Sequence, residues 1–203
     1  MKIVNPYRNI KQNARISIEP YHMNSDIRNN MKIILKKKVE KKCNKIGYID
    51  EVYRIIEHSD GYMPPENLNG SAIYNIIFHC KICIPIENTI IIGQVRVINL
   101  ELIVAINGPI MIFIPKDKID TNIWNIFDGY INKETNAKLL LGDYVRIQII
   151  DKRINQNDSQ IKTIGKLLDF SNPDEINAYF GNKISDVKKE ISDNENSDSN
   201  FIL

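Results

Sequence analysis

The chain has 203 residues, 43% of them hydrophobic and 26% charged, with a formal net charge of +2 at pH 7. That length allows one or two domains with a core that folds without covalent staples. The small net charge excludes a polycation, so nucleic-acid binding would need a local patch, and the absence of an apolar run of ~18 residues excludes a helical membrane span.

Residues 1–13 are polar and interrupted by Pro6, which predicts a flexible arm. Ala14 to Glu19 alternates Ile16 and Ile18 with polar neighbours and reads as a strand ended by Pro20. Asn24 or Ser25 can cap a helix over residues 25–43, whose Ile27, Met31, Ile34, Leu35 and Val39 share one face. Lys36, Lys37, Lys38, Lys41 and Lys42 crowd its C-terminal half, where cations suit the helix dipole, and Gly47 marks a stop. Tyr48 to Ile56 is a second strand. Residues 57–71 are a loop by composition, and Ala72 to Ile84 is a long strand before Pro85. Residues 14–85 therefore read as an α+β unit, one helix on one face of an antiparallel sheet.

Residues 86–184 change character. Ile90–Ile98, Leu102–Ile106 and Ile110–Ile114 alternate as three strands, and Asn107-Gly108 predicts a type I′ turn between the last two. The crossover 116–141 predicts a helical turn over Asn122–Phe127 that buries Trp124. Residues 142–150 and 159–168 then form a hairpin around the turn cluster 155–158. Three strands, a crossover and a hairpin is the order of an all-β, five-stranded OB barrel, a fold that binds oligonucleotides on one face. Ser171 or Asn172 followed by Pro173 starts a terminal helix, with Gly181 as its stop. Residues 185–203 are acidic and rich in Ser and Asn, a composition that predicts disorder.

Candidate sites are few. Cys80-x-x-Cys83 beside His79 invites a zinc reading, but residues three apart on a strand point to opposite faces, so no metal site is predicted. Cys43 makes the cysteine count odd. With no apolar secretory segment at the N-terminus, reduced thiols in an intracellular compartment are expected. No nucleophile motif or phosphate-cradling loop appears, so neither a catalytic site nor a cofactor is expected. The lysine run 36–45 reads first as a solvated helix face. Arg96, Arg146, Lys152, Arg153, Lys162 and Lys166 lie on, or at the ends of, predicted barrel strands, where they could meet RNA phosphates. Phe113 and Tyr144 are the rings available for base stacking.

The ordered segments resemble the seventh-subunit family of eukaryotic RNA polymerase II, equivalent to the archaeal E subunit, from about Ile16 to Phe170. The matching stretches are IGYI at 46–49, the loop bearing Gly61 and Gly70, the Ile84-Pro85 junction, NGPIMIFIP at 107–115, VRIQIIDKRI at 145–154 and TIGKLLDF at 163–170. The family's Gly-Glu-Val at the start of the barrel is Asn88-Thr89-Ile90 here. Its Gly-x-Phe on the second barrel strand is Leu102-Ile103-Val104, which removes one stacking ring. The acidic tail is additional.

The resemblance implies an N-terminal tip domain followed by a barrel of the ribosomal-protein S-one type. It implies a non-catalytic stalk subunit of a DNA-dependent RNA polymerase, paired with a fourth-subunit-like partner and offering its barrel to nascent single-stranded RNA. The loop carrying Gly61, Tyr62, Pro64, Pro65 and Gly70 would dock on the polymerase core. Divergence, with the heavy use of Ile, Asn and Lys typical of AT-rich genomes, points to a large DNA virus. The expected location is a virion or cytoplasmic factory if viral, the nucleus if cellular. A free-standing OB-type RNA-binding protein and a purely structural interaction protein are the alternatives, and copurification with catalytic polymerase subunits separates them.

Overall fold

The structure is a computed structural model that describes residues 3–126 and 129–181. It is mostly β. Strands β1 (Tyr7–Ile18), β2 (Lys42–Cys43), β3 (Tyr48–His58) and β4 (Ala72–Cys83) form an antiparallel sheet in the order β1-β4-β3-β2. Helix α1 (Ile27–Val39) packs on one face of it. Met31 and Leu35 are fully buried there against Ile16, Ile18, Ile76 and Phe78, while Ile27, Ile34 and Val39 pack at the margin. The apolar stripe in the sequence is thus the stripe that meets the sheet.

The strands Tyr48–His58, Tyr144–Arg153 and Ile161–Phe170 shift by two or three residues at their ends from the sequence expectation, and two boundaries differ by more. β1 begins at Tyr7, so most of the predicted arm is strand: Tyr7 to Asn13 pair in register with Cys83 to Ile77 of β4. Residues ahead of it are tied down as well, with the Val4 amide donating to the Ile90 carbonyl and the Ile84 amide to Pro6. The polar side chains of Asn9, Lys11 and Asn13 hide the pattern because they are exposed. Helix α1 also ends at Val39, well before residue 43. Glu40 turns to extended backbone and accepts a hydrogen bond from the Val52 amide. Lys41 adopts positive φ and pairs its amide with Ile49. These are long-range bonds that a local helix signal cannot contain.

Strands β5 (Ile90–Ile98), β6 (Leu102–Asn107), β7 (Ile110–Pro115), β10 (Tyr144–Arg153) and β11 (Ile161–Phe170) close into a five-stranded barrel in the order β10-β11-β7-β6-β5. The closing seam is parallel: Ile161 to Ile164 of β11 pair with Ile110 to Phe113 of β7. Inward positions are filled by Ile91, Val95, Ile103, Ile112, Val145, Ile147 and Leu167. Gly93 and Gly165 flank Ile147 so closely that a Cβ at Gly165 would lie 2.4 Å from its Cγ2.

The β6–β7 turn is corrected in detail. Gly108, not Asn107, takes the positive φ. Asn107 is instead buried, and its Nδ2 donates to the Ile92 carbonyl at 2.6 Å and to the Tyr179 hydroxyl at 2.8 Å. The crossover also differs. Trp124 is buried as expected, but on a two-residue strand β8 (Trp124–Asn125) paired with β9 (Ile131–Asn132), not on a helical turn. Its indole N–H donates to the Leu168 carbonyl at 2.9 Å and its ring meets Phe170, which fixes the crossover against β11. Phe127, and the tail read as disordered, lie outside the described residues.

The barrel and the four-stranded sheet share contacts. The tip of the β10–β11 hairpin bonds to β2 through the Cys43 amide to the Asp158 carbonyl at 2.8 Å and the Asn157 amide to the Cys43 carbonyl at 2.9 Å. Cys43, Tyr48 and Cys83 belong to the barrel's apolar cluster, whereas Cys80 belongs to the cluster under α1. The two thiols of the Cys-x-x-Cys pair thus project into different cores, as strand geometry requires. Burial pushes the Cys43 and Cys80 thiols up to about 11, which keeps them protonated at neutral pH.

Leu35→Ala should cost about 2–5 kcal/mol, since it opens a cavity in a close-packed site, while Ile33→Ala on the exposed side of α1 should stay within about 0.5 kcal/mol. Urea unfolding of both variants checks this. Equal losses would show that α1 does not present this face to the sheet.

Candidate nucleic-acid interface

The barrel's outer surface carries an apolar row that crosses four strands. Val97 on β5 lies opposite Val104 on β6, which lies opposite Phe113 on β7, which lies opposite Ile164 on β11. Val97 and Ile164 are about 40% exposed, at 42% and 40%. The row points outward because its sequence neighbours, such as Ile103, Ile112 and Thr163, are buried in the barrel.

At the β11 end of this row is a surface cleft of about 310 Å3 lined by Phe113, Asp151, Lys152, Arg153, Lys162, Thr163 and Ile164. Four of the RNA-binding candidates, Phe113, Lys152, Arg153 and Lys162, therefore come together. Arg153 and Lys162 face one another directly across β10 and β11. Like charges in that position repel, and neither makes an ion pair among the described residues. Lys152 is partly committed: its ammonium donates to the Pro85 carbonyl at 3.0 Å. Asp151 is the one carboxylate in the cleft lining, and it accepts from the Lys152 amide. Arg96 sits at the opposite end of the row, exposed on a β-bulge beside Val97.

The other candidates lie elsewhere. Residues 173–181 form a helix, α2, started by Asn172 and Pro173 as the sequence predicts. Its Glu175 accepts from the Asn172 amide at 3.2 Å, the reciprocal half of a capping box. The same carboxylate oxygen accepts from Arg146 Nε at 3.0 Å and Nη2 at 2.7 Å. Tyr144 packs edge-on against Phe180. Arg146 and Tyr144 thus anchor α2 to the barrel. Lys166 is held 3.4 Å from Asp120.

The loop 57–71 is built from within. Tyr62 bridges Ile73 through both backbone bonds. Gly61 lies against the Tyr74 ring, where a Cβ would come within 2.6 Å. Asn67 accepts and donates across the turn that follows Pro64 and Pro65, and Gly70 takes positive φ next to Pro20. The frame displays Tyr62 at 58%, Met63 at 56% and Leu68 at 98% exposure. Met63 and Leu68 extend the candidate set, as do Val104 and Ile164 on the barrel. Composition marked the loop but not which of its side chains face outward.

The Arg146 guanidinium holds the Glu175 carboxyl below its ordinary value. A depressed carboxylate contributes stability above its unfolded pKa and loses it as pH falls through the folded value. The α2 contact should therefore loosen as acidification carries the pH down through that lowered value, where Glu175 takes up a proton. Amide chemical shifts of Tyr179 and Phe180 should show this step in the wild type and none in Glu175→Gln. A step that survives in the variant would assign it to another group.

No family model matches the chain. It is 34% identical over 188 residues to a protein of Acanthamoeba polyphaga mimivirus named as a putative DNA-directed RNA polymerase subunit, with 92% of this chain and 94% of that protein covered. At that identity over nearly the full length of both chains, this protein belongs to the family of the viral DNA-directed RNA polymerase subunit.

Proposed function

We propose that the protein is a non-catalytic stalk subunit of a viral DNA-dependent RNA polymerase that holds nascent single-stranded RNA on its barrel. The observation that carries this reading is the cleft beside Phe113, where Arg153 and Lys162 oppose each other without a carboxylate partner. A phosphate between them would relieve the repulsion, and the outward row from Phe113 to Val97 offers an apolar track for bases. The closed barrel, with strand order β10-β11-β7-β6-β5, is compatible with an OB fold.

In this reading the four-stranded sheet with α1 is the tip domain. It meets the polymerase core through Gly61, Tyr62, Pro64, Pro65 and Gly70, with Tyr62, Met63 and Leu68 as the apolar contacts. A fourth-subunit-like chain completes the stalk. Affinity-tagged protein from infected cells should bring down the large catalytic subunits. Recovery without them would contradict the reading.

RNA binding should be salt-sensitive and weak in sequence preference, since one ring supplies ~1–3 kcal/mol of stacking and phosphates supply the rest. Arg153→Ala with Lys162→Ala should lose most binding to a single-stranded oligonucleotide and lower the salt slope by about 0.7, the loss of the one phosphate they share. Phe113→Ala should cost about 1–3 kcal/mol. Arg146→Ala should leave RNA affinity unchanged because that guanidinium serves Glu175. Anisotropy titrations at several salt concentrations measure all three.

A further inference from the structure

A basic cleft lies at the seam between sheet and barrel. About 270 Å3 in volume, it opens between the end of α1, the two sheet edges β1 and β2, and the tip of the β10–β11 hairpin. Arg15, Lys38 and Lys42 line it together with Asn44, Gln156 and Asn157, and none of the lining residues is acidic. Lys38 donates to the Arg15 carbonyl, and Lys42 to the carbonyls of Lys37 and Lys38, all of them uncharged acceptors. None of the three cations makes an ion pair among the described residues. The carboxylates nearest in the fold are engaged elsewhere: Glu40 with Lys36 and the Val52 amide, Asp158 with Asn155, Asp50 with Lys41. Like charges gathered around one small cleft repel each other, and an anionic chain laid between them would relieve that.

The sequence carries such a chain. Residues 190–203 hold Glu190, Asp193, Glu195 and Asp198 and no basic residue. They lie outside the described residues, but the place where the described chain ends is informative. Tyr179 of α2 bonds to Asn107, and the next residue, Gly108, lies against the Tyr7 hydroxyl at the start of β1. From Tyr7 to Arg15 along β1 is roughly 27 Å. Glu190 follows Gly181 by nine residues and Asp198 by seventeen, enough to span up to about 30 Å and 56 Å. The acidic run can therefore reach the seam from α2. Other clefts suit it less. The one beside Phe113 contains Asp151, and the groove at the start of α1 contains Asp26 and Glu57, all of which would repel it.

We propose that the acidic segment 190–198 docks in the seam cleft of its own chain, its carboxylates on Arg15, Lys38 and Lys42. Because segment and cleft belong to one chain, the effective concentration is on the order of millimolar, so a contact too weak to join separate molecules suffices. The docked segment neutralises the seam and ties the tip of the β10–β11 hairpin to the end of α1. The inference stands whether or not the barrel holds RNA.

The test is paramagnetic broadening in the full chain, with a nitroxide on Ser192→Cys. Cys43, Cys80 and Cys83 are buried, which directs the label to the new thiol. Backbone amides of Arg15, Lys42 and Asn157 should lose most of their intensity, and those of the loop 57–71 should keep theirs. Salt at 1 M, where the Debye length falls to about 3 Å, should restore the lost signals. Arg15→Gln with Lys38→Gln should restore them at low salt, as should Glu190→Gln, Asp193→Asn, Glu195→Gln and Asp198→Asn together. Arg15→Lys with Lys38→Arg keeps the charge and should keep the broadening, which separates loss of charge from misfolding. Broadening centred on Lys162 and Thr163, broadening that survives both neutralised variants, or none in the wild-type background overturns the proposal. So does equal broadening when labelled protein is mixed with a separate isotope-enriched copy, which would assign the contact to a second chain.

Discussion

The pairing of β7 with β11 is the constraint on which the rest depends. An open five-stranded sheet has two unpaired edges that must be hidden. Here residues 110–113 pair in parallel with residues 161–164, and both edges disappear at once. The register that closes the barrel also decides which outward side chains become neighbours. Phe113 lands beside Ile164, and Lys162 beside Met111, with Arg153 on its other flank. A slip by one residue would turn Phe113 inward, where Gly165 and Ile147 already touch. Closure and candidate site thus follow from one set of backbone bonds.

The contact between the sheet and the barrel is the second organising feature. The hairpin tip exchanges two backbone hydrogen bonds with Cys43, and Lys152 is pinned to the Pro85 carbonyl. Tyr7 sits with its hydroxyl 2.5 Å from where a Cβ of Gly108 would be, so the β6–β7 turn accepts only glycine without a shift. These contacts bind the loop 57–71 and the Phe113 cleft into one body. In the proposed role that matters: a subunit that docks by one end and holds RNA by the other must transmit position between them.

Local pattern carried much of the fold. The i, i+4 spacing of Met31 and Leu35, and the alternation of Val145, Ile147 and Ile149, survive intact because burial on one face sets them. The first half of β1 is not legible in the sequence, because it lies on a sheet edge with Asn9, Lys11 and Asn13 exposed and takes its register from β4. The lysine run overstated the helix because its end is set by Ile49 and Val52, which local sequence does not reveal. Residue type and strand position mark Phe113, Arg153 and Lys162, which the fold brings into one cleft. They also selected Tyr144 and Arg146, since nothing in their own strand tells that α2 folds back over them. Val104 and Ile164 carry no such mark, because an outward aliphatic side chain gains meaning only from its neighbours across the sheet.

The most direct test of RNA binding on the barrel's outer row is a methyl NMR titration with single-stranded RNA. The isoleucine-rich barrel supplies inner and outer reporters on the same strands. The account predicts shifts at Ile164 and Val104, with the inner methyls of Ile112 and Ile147 unmoved. Shifts confined to methyls of the loop 57–71 or of helix 173–181 would contradict it.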